Sequence, residues 1–104
     1  MKLGIMNREI LGCWVLDPND VNSFEMYGNI SMEFKANGEL IYTMYSAIKD
    51  EIIVMTYEIK GSLLITDQPS YPKKEETEFK MISKDRLELF FGGDRSFYVR
   101  EPIS

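Results

Sequence analysis

From Asn29 onward the chain alternates. In NISMEFKANGELIYTMYS, Ile30, Met32 and Phe34 are interleaved with Ser31, Glu33 and Lys35. A period of two sends successive side chains to opposite faces of a strand, so the stretch reads as a strand with one wet face. Asn37-Gly38 follows, the dipeptide favoured in a type I′ hairpin because both central residues there need positive φ. The next strand carries Leu40, Tyr42, Met44 and Ile48 on one face. After the polar break Lys49-Asp50-Glu51, IIVMTYEI keeps Ile53, Met55, Tyr57 and Ile59 in phase.

The same grammar runs to the end. Lys60-Gly61-Ser62 turns the chain into a short strand from Leu63 to Thr66, and Asp67 to Lys74 forms a loop whose two prolines cannot sit in a central ladder. Glu75 opens TEFKMI, with Thr77, Phe79 and Met81 facing one way; Ser83-Lys84-Asp85 turns into RLELFF, and Gly92-Gly93-Asp94 into a last strand from Ser96 to Arg100. With LGCWVL at the front, the expectation is eight strands joined mostly by hairpins. Such a meander makes sequence neighbours spatial neighbours. Eight one-faced strands cover that face best by closing into an antiparallel barrel without exposed edges. Two segments depart from the pattern. Asp17 to Gly28 is expected to hold a helical turn, with Asp17 as N-cap and Pro18 in the first helical position. Leu3 to Ile10 is expected to form a short helical turn ahead of the first strand.

Composition narrows the function classes. A chain of 104 residues with 44% hydrophobic content suits one β-rich domain, residues 1-104. Its net charge is −5, and its twelve Lys and Arg form no run, which argues against nucleic acid and anionic membrane as partners. A single Cys and no His leave neither an internal disulfide nor the usual zinc sets. No metal or other cofactor is therefore expected. With no long apolar run and no leader-type N-terminus, a soluble, cytoplasmic protein is expected.

Leu11-Gly12-x-Trp14 on the first strand, YEIKGSLLIT in the middle, FKMISKDRLELFF as a late hairpin and Phe97-Tyr98-x-Arg100 at the end resemble the small bacterial lipocalin-like proteins. In the wider lipocalin and fatty-acid-binding group, a Gly-x-Trp on the first strand packs beside an Arg of the last. The resemblance thus implies that Gly12, Trp14 and Arg100 close the base of the barrel. It also implies a non-enzymatic protein binding a small apolar ligand inside. The chain departs from full-size lipocalins in length and in lacking a cysteine pair, and Asp17 to Gly28 is too short for the two lid helices of the fatty-acid binders.

The inward set Met32, Phe34, Tyr42, Met44, Met55, Tyr57, Phe79, Met81 and Leu89 is the candidate pocket lining. Met is adaptable, and Tyr hydroxyls can orient a polar group. The same side chains could instead fill the interior, since eight strands leave a bore just wide enough for that. A filled barrel would fit a protein-interaction module, of inhibitor or immunity type, using Phe24, Met26, Tyr27 and Tyr71 on its loops. Cys13 points away from the Trp14 face and has no basic neighbour to activate it. Asp50-Glu51 and Glu75-Glu76 fall at turns or strand starts, where solvated charges are ordinary. Gly92-Gly93-Asp94-Arg95 lacks the following helix of a phosphate loop. No constellation for an enzyme emerges.

Overall fold

A computed structural model describes residues 9–69, 72–91 and 93–101. They form eight strands and one α-helix in the order β1 (Gly12–Leu16), α1 (Val21–Tyr27), β2 (Ile30–Phe34), β3 (Glu39–Met44), β4 (Glu51–Lys60), β5 (Leu63–Asp67), β6 (Glu75–Ser83), β7 (Arg86–Phe91) and β8 (Asp94–Arg100). Every strand pairs antiparallel with its sequence neighbours, and β1 also pairs with β8, so the meander closes into a barrel. The alternation explains this directly. Ile30, Met32 and Phe34 of β2 are buried while Glu33 is exposed, and β4 exposes every second residue from Ile52 to Lys60.

Three local expectations are corrected. The β2–β3 hairpin is not type I′: among the described residues only glycines have positive φ, here Gly38 at 91°. Gly38 N–H donates to Lys35 O at 3.1 Å, and Lys35 N–H to Glu39 O at 2.9 Å, the signature of a three-residue loop that ends on a left-handed Gly. The Asn37 side chain accepts from Glu39 N–H at 3.0 Å, so Asn37 serves the turn through its side chain and keeps ordinary backbone angles. Ile48 is the second correction: β3 ends at Met44, and Ile48 lies in the following loop, 97% exposed.

The third concerns the helix start. The N-cap is Asp20, whose carboxylate accepts from Ser23 N–H at 3.4 Å. Asp17 is engaged elsewhere: it accepts from Asn19 N–H at 2.9 Å and from Arg86 Nη1 at 2.7 Å. The other Asp20 oxygen accepts from Phe97 N–H at 3.1 Å, and Ser23 Oγ donates to Arg95 O at 3.3 Å. The helix is thus anchored to β8, and that attachment sets its start. The expected helical turn at Leu3 to Ile10 lies outside the described residues, except for a turn at Glu9 and Ile10, as does Tyr71. Among the described residues no helix is long and apolar enough to cross a membrane.

Candidate functional site

The two ends of the barrel differ. At one end Trp14 is fully buried, and its Nε1–H donates to Ile10 O at 2.8 Å. Trp14 pairs with Arg100 across the β1–β8 seam, and the guanidinium lies 4.3 Å from the indole centroid. Arg100 donates from Nη1 to Leu11 O at 2.6 Å, from Nη2 to Glu9 O at 2.9 Å and from Nε to Lys84 O at 3.0 Å. One cation therefore ties down the chain entering β1 and the β6–β7 turn. Gly12 makes room for it: with φ at 113°, a Cβ there would sit 2.9 Å from Arg100 Nη1. Gly12, Trp14 and Arg100 are thus brought together at the base of the barrel.

Cys13, between Gly12 and Trp14, pairs with Glu33 on β2 and is half-buried. Burial, and then the negative charges of Glu33 and Glu101, raise its thiol pKa. That is the reverse of what a nucleophilic cysteine requires.

Toward the α1 end the interior holds a cavity of about 240 Å³. Its apolar wall comes from Met32, Leu40, Met55, Leu64, Leu89 and Phe91. Its polar wall comes from Tyr42, Thr66, Thr77, Ser96 and Tyr98, with Tyr27 of α1 and Glu75 also lining it. Ser96 Oγ donates to Tyr98 Oη at 3.3 Å. Tyr98 is 4% exposed, and desolvation is the main reason its phenol is pushed up to about 12. Burial raises Tyr42 as well, with a smaller contribution from Tyr27. Wider clefts of about 640 Å³ and 450 Å³ lie among charged side chains such as Lys84 and Asp85, or Glu88 and Arg95. The interior cavity is the mainly apolar, concave space among these, and its volume falls below the roughly 300–1,000 Å³ of drug-sized ligand sites.

The candidate lining divides into three groups. Met32, Tyr42 and Met55, together with Leu89, face the cavity. Phe34 is fully buried and Tyr57 meets it edge-on at 5.0 Å, with the Tyr57 hydroxyl donating to Lys35 O at 2.9 Å. These two rings plug the interior near the β2–β3 hairpin. Phe79 and Met81 face a separate depression beside Ile59 and Gly61, and Met44 packs against the core without lining the cavity. The reading missed Tyr98, Ser96, Thr66 and Thr77. Their signal was an inward position occupied by a small or hydroxyl-bearing residue. Phe24 and Met26 project from α1 rather than from a loop, 37% and 58% exposed.

Among the described residues, no group of His, Cys, Asp or Glu side chains could hold a metal ion. No protein family, curated protein or solved structure matches the chain.

Proposed function

We propose that this chain is a small lipocalin-like binding protein, without enzymatic activity, that takes a small and mainly apolar molecule into the barrel. The observation that carries the reading is the cavity of about 240 Å³ between the Trp14 base and α1, lined by inward Met, Leu and Tyr side chains. Apolar surface brought out of water supplies the drive, at about 25 cal/mol per Å². The flexible thioethers of Met32 and Met55 adapt the wall to the guest.

Native mass spectrometry of protein purified from its own host tests this. A bound small molecule of matching size is expected, together with a melting temperature that rises on adding it back. A ligand at a hundred times its Kd stabilises by about 2.7 kcal/mol. Leu89→Trp, which fills the cavity, should abolish both signals. Ligand-free protein whose melting temperature responds to no small apolar compound would refute the reading.

A second reading, a protein-interaction module, draws on a different observation. Ile52 and Val54 on the outer face of β4 are 64% and 47% exposed, and apolar side chains on the outside of a barrel suit a partner surface. Under it, the same native spectra would show a protein partner that Ile52→Lys releases.

A further inference from the structure

Resting on the ligand reading above, we infer that the guest is an uncharged molecule of about ten non-hydrogen atoms bearing one hydrogen-bond acceptor, such as an aryl ketone, and is not a fatty acid. Size is the first argument. An enclosed dry cavity of about 150 Å³ accommodates benzene, and scaling its six carbons to about 240 Å³ gives about ten heavy atoms for the part of a guest held within this half-open space. A long-chain fatty acid has nearly twice that number.

Hydrogen bonding supplies the second argument. Ser96 donates to Tyr98 Oη, which leaves the Tyr98 proton without an acceptor among the described residues. Tyr42 Oη likewise has no hydrogen bond to any described residue, although it lines the same wall. Two phenol protons thus stand on the polar wall of the cavity, beside the hydroxyls of Thr66, Thr77 and Ser96, and are available to a guest. A guest with a carbonyl or hydroxyl oxygen satisfies them.

Charge supplies the third. No Lys or Arg lines the cavity, and its one charged group is Glu75, which is paired with the exposed Lys73 at 3.6 Å. Asp20 adds negative charge near Tyr98. A carboxylate drawn inside would lose its water and gain no cation in return.

The test is an NMR titration with acetophenone, benzoate, ethylbenzene and palmitate, followed on the Tyr42, Tyr98 and Leu89 resonances. Acetophenone is expected to bind in the cavity at least tenfold more tightly than benzoate, which matches it in size but carries charge. It should also bind several-fold more tightly than ethylbenzene, which lacks an acceptor, and palmitate should not enter. Tyr42→Phe and Tyr98→Phe, each isosteric, should narrow the acetophenone-to-ethylbenzene ratio about threefold to tenfold, the effect of one hydrogen bond. Because the readout is a ratio, it is insensitive to a general loosening of the fold. Benzoate or palmitate binding as well as acetophenone, or a ratio unchanged in both variants, overturns this inference while leaving the ligand reading standing. No cavity shifts with any of the four compounds overturns both.

Discussion

Replacing Trp14 by Ala removes the side chain on which the seam is built. The indole is fully buried, and truncating a buried Trp costs about 3–5 kcal/mol in lost transfer energy and cavity formation. Its Nε1–H bond to Ile10 O also goes, which adds about 1 kcal/mol, and the Arg100 guanidinium loses the ring beneath it, which adds about 0.5–2 kcal/mol. The sum of about 5–8 kcal/mol is comparable with the whole stability of an ordinary domain, about 5–15 kcal/mol. Trp14→Ala is therefore expected to be unfolded or barely folded at room temperature. Arg100→Lys keeps the positive charge but cannot reach Leu11 O, Glu9 O and Lys84 O together. Because Arg100 is partly exposed, the lost bonds are expected to cost about 1–3 kcal/mol, or roughly 5–20 °C in melting temperature for a chain of this size. Circular dichroism on heating reads both variants, which matters because Trp14 is the only Trp available for fluorescence. A Trp14→Ala protein melting within a few degrees of the parent, or an Arg100→Lys protein less stable than Trp14→Ala, would refute the seam as described.

Other expectations follow from separate parts of the barrel. Gly12→Ala should lose about 1–3 kcal/mol in urea unfolding, because its Cβ falls 2.9 Å from Arg100 Nη1 at a backbone angle that side chains avoid; an unchanged urea midpoint would count against that crowding. The Asp17 carboxyl is held below the ordinary carboxylate range by Asn19 N–H and then by Arg86. A depressed carboxylate contributes stability that is present above the unfolded value and is lost as pH falls through the folded one. Asp17→Asn should accordingly flatten the stability curve below about pH 4, which acid titrations of unfolding would show. Tyr98 works in the opposite direction. Its pKa, raised from 10.0 to about 12, means that its contribution is intact below pH 10 and is lost as pH rises toward 12. Ultraviolet titration should show a phenol ionising near pH 12, and Tyr98→Phe should remove that step.

The fold was legible because its cause is local. Met32 and Glu33 face opposite ways for reasons that involve only their own strand, so alternation can be read without knowing what lies across the barrel. Strand number and order follow from the turns between them. The helix start was less legible because Asp17 and Asp20 are both plausible caps in sequence, and the choice depends on Arg86 and on Phe97 N–H, about seventy to eighty residues away. Asn37-Gly38 misled for a related reason. The dipeptide suits two turn geometries, and here the Asn side chain bonds Glu39 N–H within the turn while Asn37 keeps a negative φ.

The cavity was the hardest feature to read, and the reason is geometrical. Every strand offers inward side chains along its length, but strands in a barrel are tilted, so residues at one level come from different places in each strand. Volume at each level then decides whether space remains. Near the base the inward positions hold Trp14, Phe34 and Tyr57, and large rings fill the bore. Toward α1 the tilt brings Thr66 of β5, Thr77 of β6 and Ser96 of β8 to the same wall, each of them a small side chain in phase with a larger one two residues away, Leu64, Phe79 and Tyr98. The space is thus maintained by which small residues fall at one level, and reading it from sequence means aligning inward positions across the strands before asking which are large.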